Sequence, residues 1–282
     1  MGRIAVALDA ATTKHTFANA LAMAQSSEIA YRDETVVKNG IEKIVGGNRT
    51  LQDFKFLDNA LTHTQGFLAG FEDAIVLGFR GTEHLRDWLQ DGQIKLVPFR
   101  QIGLVHLGFR NAVDSVYDEI ESTLQQWSGR GRTLWITGHS LGGALALVAA
   151  AYLRFPADPT KTLPRPIAGL YTFGQPRTGT VNFCQSCDGN FGSTYFRYIN
   201  NEDLVTRVPP RELAYWHGGK DQYIDRNGAI HEDPAVWQIF LDRVIAGAAA
   251  LRTFQLTNPK IGAIADHAIG DYVAAIKKNL GA

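Results

Sequence analysis

The chain has 282 residues, which suits one large α/β domain, and its 45% hydrophobic content is ample for a packed core, which excludes a disordered chain. Lys+Arg and Asp+Glu balance at 28 each, so no net field favours nucleic acid or an anionic membrane. The longest apolar stretches, Ala144–Leu153 and Val244–Leu251, fall well short of the ~20 residues of a membrane span, so no transmembrane segment is expected.

In chain order, Met1 to Leu8 begins like a leader, but Asp9 cuts the apolar run short, and no export or anchoring signal is expected. Thr16 to Tyr31 reads as an amphipathic helix, with Phe17, Leu21, Ala24 and Ile29 near helical spacing. Gln52–Asp58, Gly66–Phe71 and Ala74–Arg80 read as strands, the last nearly continuous in apolar residues, as a buried strand should be. Residues 83–90 form an amphipathic turn of helix with Leu85, Trp88 and Leu89 on one side, and Ile94, Leu96 and Val97 continue in alternation. Phe109 to Trp127 is a helix with Phe109, Val113, Val116, Tyr117, Ile120 and Leu124 on one stripe. A strand over Thr133–Thr137 and a helix over Gly143–Leu153 follow. Ile167–Phe173 and Thr194–Ile199 are further strands, separated by a short helix that holds Cys184 and Cys187. Lys220–Asp225 is a short strand. Asp233-Pro234 is an N-cap and N1 pair that opens a helix to about Thr253, and a last helix runs from Ala268 to Leu280. Buried strands alternating with helices predict a mostly parallel central sheet covered on both faces, the α/β-hydrolase arrangement.

Gly138-His139-Ser140-Leu141-Gly142 lies between the strand at Thr133 and the helix after it. Alone, a G-x-S-x-G pentapeptide is a weak signal; the strand before it and the helix after it carry the reading. A serine hydroxyl is a poor nucleophile, and a sharp strand-to-helix turn can expose it. The glycines let neighbouring backbone approach that turn, and the helix start aims free N–H groups at the reacting centre. Ser140 is therefore the candidate nucleophile. It needs a base, and the base needs an acid to fix its tautomer. In this fold the order is Ser, acid, His, each on a loop at the carboxyl end of the sheet. Asp203, just past the strand at Thr194, is in the right place, with Glu202 its direct competitor; Asp188, Asp221 and Asp225 are poorly placed. His267, between a loop and the terminal helix, has the usual setting of a mobile base, and His231 is the alternative.

Several further motifs occur in order. Phe79-Arg80-Gly81-Thr82, Val105-His106-Leu107-Gly108-Phe109, the full Gly138-His139-Ser140-Leu141-Gly142-Gly143, Thr172 to Gly179, Asp203 with Val208-Pro209, and Asp266-His267 before Tyr272 spread over most of the chain. Together they resemble the class 3 (fungal-type) lipase family of the α/β-hydrolase fold. The resemblance implies Ser140, Asp203 and His267 as a catalytic triad. It implies an oxyanion hole from Leu141 N–H and from Thr82. It implies a short lid over 83–97 that presents Leu85, Trp88 and Leu89 to lipid. The implied activity is hydrolysis of glycerolipid acyl esters through an acyl-enzyme intermediate, without cofactor or metal and with transient contact at a lipid–water interface. Phospholipid or glycolipid acyl hydrolysis is the nearest alternative, and a non-catalytic lipid- or protein-binding scaffold is the alternative of another class.

The remaining features have plainer readings. His139 packs, His106 helps to position the oxyanion and nucleophile loops, and His217 is structural. His15, His63 and His84 read as surface residues, and no metal-ligand spacing is present. Cys184 and Cys187 read as reduced, partly buried thiols. The segment 234–254, with Trp237 and Phe240 on a wide apolar arc, is either a buried helix or an insertion that flanks an acyl groove.

Overall fold

Strands with the apolar character that burial on both faces demands form the middle of one sheet. The computed structural model describes residues 7–82, 94–127, 131–158, 166–201, 203–234 and 267–281. The strands are β1 (Asp53–Asn59), β2 (Thr64–Gly70), β3 (Ala74–Phe79), β4 (Leu96–Phe99), β5 (Gly103–His106), β6 (Thr133–His139), β7 (Ile167–Phe173), β8 (Tyr195–Asn200), β9 (Lys220–Ile224) and β10 (Ile230–Glu232). The helices longer than one turn are α1 (Phe17–Ile29), α2 (Glu34–Val45), α3 (Leu107–Gln126), α4 (Leu141–Arg154), α5 (Val181–Phe191) and α6 (Ile269–Leu280).

Eight strands pair in the order β1-β2-β3-β6-β7-β8-β9-β10. From β3 to β9 every pairing is parallel, while β1–β2–β3 is an antiparallel meander at one edge and β10 runs antiparallel to β9 at the other. The expected α/β-hydrolase arrangement is therefore present. Strands β3 and β7 are buried along their whole length, because helices cover both faces. One face carries α3, α4 and α5; the other carries α1, α2 and α6. Register sets the ends level: Phe79 lies opposite Gly138, His139 opposite Phe173, and Phe173 opposite Tyr198. The loops after β3, β6, β7 and β8 consequently emerge together.

Among the described residues the expected elements are present, with boundaries shifted by at most two residues, and four findings change the reading. Helix α2 was not anticipated, although Asp33 caps it and Val37, Ile41 and Val45 form its buried stripe. Leu96–Phe99 form a strand, paired with β5 in a separate hairpin, so the last two residues of the expected 83–97 lid lie in a strand. His15 is half-buried rather than fully at the surface: its Nε2 lies 2.7 Å from the Tyr198 hydroxyl, among the rings of Phe17, Tyr171 and Phe196. The two thiols are free and fully rather than partly buried, and burial pushes Cys184 up to about 12. The candidate lid residues Leu85, Trp88 and Leu89, and the segment 235–254, lie outside the described residues. Among the described residues no helix is long and apolar enough to cross a membrane.

Candidate active site

Strand β6 runs directly into α4, and Ser140 is the single residue between them, with φ 58° and ψ −129°. A side chain rarely adopts this backbone, at a cost of roughly 1–3 kcal/mol. The turn is held by Ser140 N–H on the Phe173 carbonyl at 2.8 Å and by Gly143 N–H on the Ser140 carbonyl at 2.9 Å. Both motif glycines are steric necessities. A Cβ at Gly138 would lie 2.1 Å from the Gly142 oxygen, and one at Gly142 would lie 2.4 Å from the Phe79 oxygen. The second contact also explains how the end of β3, which leads to Thr82, is pressed against the elbow.

Asp203 lies in the turn after β8 and is fully buried. Its Oδ1 accepts from Val205 N–H at 2.8 Å; its Oδ2 lies 2.8 Å from His267 Nδ1 and accepts from the Tyr272 hydroxyl at 2.5 Å. Burial first, and the nearby Asp203 charge second, push the Tyr272 hydroxyl well above its ordinary range. A carboxylate only accepts, so Nδ1 of His267 carries the proton and Nε2 keeps its lone pair. That Nε2 and Ser140 Oγ are both buried, and neither has a hydrogen-bond partner among the described residues. The elbow and the pair are in contact through the neighbours of Ser140. His139 Nε2 lies 2.7 Å from the His267 carbonyl, with the rings 4.6 Å apart. Gly174, which follows the Phe173 that anchors Ser140, has φ 58°, and a Cβ there would lie 2.8 Å from both Asp203 Oδ2 and His267 Cε1.

Ser140, Asp203 and His267 are thus brought together at the carboxyl ends of β6, β7 and β8, with Leu141 as the first residue of α4. Thr82 lies two residues beyond Arg80, whose N–H bonds the Gln65 carbonyl at 2.9 Å, and is half-buried. His231 is elsewhere. It sits exposed on β10, four strands from β6, with Nε2 3.0 Å from Asp225 Oδ2. Glu202 lies outside the described residues. His106 accepts the Gly108 N–H at its Nδ1, capping α3, and burial lowers it to about 4. His217 is buried with Nε2 2.7 Å from the Thr206 carbonyl, in keeping with a structural role. Sequence reasoning missed Tyr272 as a partner of Asp203, Gly174 as a spacer and the contacts of His139. Of these, Gly174 had a signal in its place at the end of a buried strand, and Tyr272 one in its place after the histidine motif.

A serine on a strand-to-helix elbow, with a buried acid and a histidine arriving from later loops of a mostly parallel sheet, defines the serine-hydrolase class of α/β-hydrolases. Residues 76–213, just under half of the chain, match the family model of lipase (class 3). The chain is 34% identical over 173 residues to a secreted mono- and diacylglycerol lipase of Fusarium solani, covering 58% of this chain and 48% of that protein. It is 33% identical over 162 residues to a lipase of Rhizomucor miehei, covering 55% and 43%. The chain spans about half the length of the curated relatives it matches. A solved triacylglycerol lipase, described as having a serine protease triad at its catalytic centre, superposes with a TM-score of 0.63 at 26% identity. That match covers 74% of this chain and 80% of the other.

Proposed function

We propose that this chain hydrolyses acyl esters of glycerolipids, with Ser140 as nucleophile, His267 as general base and Asp203 as its orienting acid. One observation carries the reading: the buried Asp203–His267 pair meets the Ser140 elbow through His139 and Gly174, and His267 Nε2 and Ser140 Oγ are both buried without a partner among the described residues. In the ground state the two need not be bonded, because such contacts tighten when substrate arrives. His267 Nε2 takes the Ser140 proton as Oγ attacks the ester carbonyl, and the oxyanion develops towards Leu141 N–H and Thr82. Each such donor contributes roughly 2.7–4 kcal/mol in the transition state. Collapse breaks the bond to the alcohol, which leaves with the proton from His267, and a water repeats the sequence on the acyl-enzyme.

Acylglycerols are the favoured substrates because the relatives in Fusarium solani and elsewhere are described as mono- and diacylglycerol lipases. The lid of residues 83–97, with Leu85, Trp88 and Leu89 facing lipid, belongs to the same proposal, as does a helix over 234–254 beside the acyl groove. A fluorophosphonate probe should label Ser140, and labelling elsewhere, or none, overturns the nucleophile. Hydrolysis rates over mono-, di- and triacylglycerols, phospholipids and galactolipids then decide the headgroup. A faster rate on phospholipid than on every acylglycerol would reject the acylglycerol assignment.

A further inference from the structure

We propose that His139, the residue before the nucleophile, is a positioning residue that holds the main chain of His267, and that Tyr31 fixes it for this task. The proposal rests on the reading of His267 as the base. His139 is 5% exposed, and both ring nitrogens have partners. Nε2 lies 2.7 Å from the His267 carbonyl and Nδ1 lies 2.8 Å from the Tyr31 hydroxyl. A carbonyl can only accept, so Nε2 carries the proton; Nδ1 is then bare and accepts from Tyr31. Two partners from opposite ends of the chain thus set one tautomer. Burial, and then the neighbouring His267, hold His139 well below its ordinary range, so the ring is kept neutral beside the base.

The geometric need is specific. His267 is the last residue before Ala268, the N-cap of α6, so one side of its backbone is fixed by that helix. Its imidazole is held at Nδ1 by Asp203, and a single hydrogen bond leaves a ring free to pivot about that contact. The bond from His139 fixes the carbonyl of the same residue, and the ring contact at 4.6 Å, inclined 32°, limits the swing. Together they define where Nε2 points.

Tyr31 extends the device to the third loop. It stands just past Ala30, the C-cap of α1, and meets the end of β3. A Cβ at Gly81 would lie 2.1 Å from the Tyr31 hydroxyl and 2.7 Å from the His139 carbonyl. Residue 81 is therefore confined to glycine by the pair that braces His267, and the strand end leading to Thr82 is seated against the same brace. Oxyanion loop, nucleophile and base share one support.

The test compares kcat, KM and Tm on a soluble short-chain ester for His139→Phe, His139→Gln, Tyr31→Phe and His267→Ala. Misplacing a reacting group by about 1 Å costs up to ~100-fold, so His139→Phe should lose roughly 10- to 100-fold in kcat with KM unchanged. His139→Gln can still donate to the His267 carbonyl and should recover part of that loss, which a purely packing role does not foresee. Tyr31→Phe removes one hydroxyl from a half-buried ring and should lower kcat about 3- to 10-fold, with Tm near wild type. If His267→Ala is inactive while Tyr31→Phe and His139→Phe keep wild-type kcat, His139 merely packs and the proposal falls. If His139→Phe does not fold, Tyr31→Phe decides alone. Activity surviving in His267→Ala overturns the underlying base assignment instead, a result distinct from failure of the brace.

Discussion

The two ends of the parallel strands hold different kinds of buried polar group. At the amino end, Arg132 stands directly before β6 with its side chain fully buried. Its Nη1 bonds Asp53 Oδ2 and its Nη2 bonds Gln52 Oε1, both at 2.7 Å, so the charge is matched by an acid in the same layer. At the carboxyl end the Asp203 carboxylate is equally well matched, but Ser140 Oγ and His267 Nε2 face no partner among the described residues. A buried polar atom without a partner costs about 1–3 kcal/mol, and Ser140 adds backbone strain to that. At the amino end the one open atom of Arg132, Nε, belongs to a guanidinium already bonded through both other nitrogens, whereas at the carboxyl end the open atoms are the proposed nucleophile and base themselves. The proposed mechanism uses the two open atoms at the carboxyl end.

The comparison can be broken at either end. Ser140→Ala should lower kcat on the order of 10⁶-fold with Tm nearly unchanged, and retention of a tenth of wild-type esterase activity removes the nucleophile from the carboxyl end. Asp203→Asn deprives His267 Nδ1–H of its acceptor, and kcat should fall roughly 10⁴-fold. Steady-state kinetics on a soluble ester measure both. The amino end should respond in the other currency. Asp53→Ala leaves the Arg132 charge buried without its acid and should destabilise by about 4 kcal/mol in a urea titration, with kcat per folded molecule unchanged. A large kcat loss there would blur the division between the two ends.

The smallest effect concerns pH. Burial holds His106 neutral in the folded chain, down to about 4, whereas the unfolded chain takes up the proton near the ordinary histidine value of 6.5. The unfolded state therefore binds more protons between these values, and stability present above pH 6.5 is lost as pH falls towards about 4. The shift corresponds to at most about 3 kcal/mol. His106→Asn keeps an acceptor for the Gly108 N–H and removes the titration, so Tm against pH should fall less steeply between 6.5 and 4. An unchanged slope would show that His139 and His217, also held low by burial, carry the acid sensitivity instead.

Much of this was legible along the chain, and the failures have a pattern. The strands β3, β6 and β7 and the helix α3 announced themselves through short-range apolar spacing, because their neighbours bury whole faces of them. The motif glycines were readable as places of close approach, and Gly138 and Gly142 are such places. Helix α2 was overlooked although its N-cap and stripe were present, since a mean composition rich in charge hid a period of four. The alternation of Ile94, Leu96 and Val97 did not reveal a hairpin, because spacing alone does not say which strand pairs with it; Leu96 lies opposite His106 across a turn at Arg100 and Gln101, both with positive φ. His15 carried no local mark of burial, since the rings around it come from Tyr171, Phe196 and Tyr198.

The sequence by itself determined the local chemistry: a serine on a turn that only glycines could flank, an acid one turn past a strand, and a histidine at the start of a helix. It also determined the sheet's class, since period and apolar runs depend on residues within a few positions of each other. Only the tertiary structure decided which histidine meets the acid, because His267 and Asp203 are 64 residues apart and His231 differs from His267 chiefly in the strand to which the fold delivers it. It alone decided that His139 reaches across 128 residues to the His267 carbonyl and across 108 to Tyr31. Such contacts follow from strand order and register, which are fixed by the summed packing of both sheet faces and leave no trace in the local spacing of any one segment.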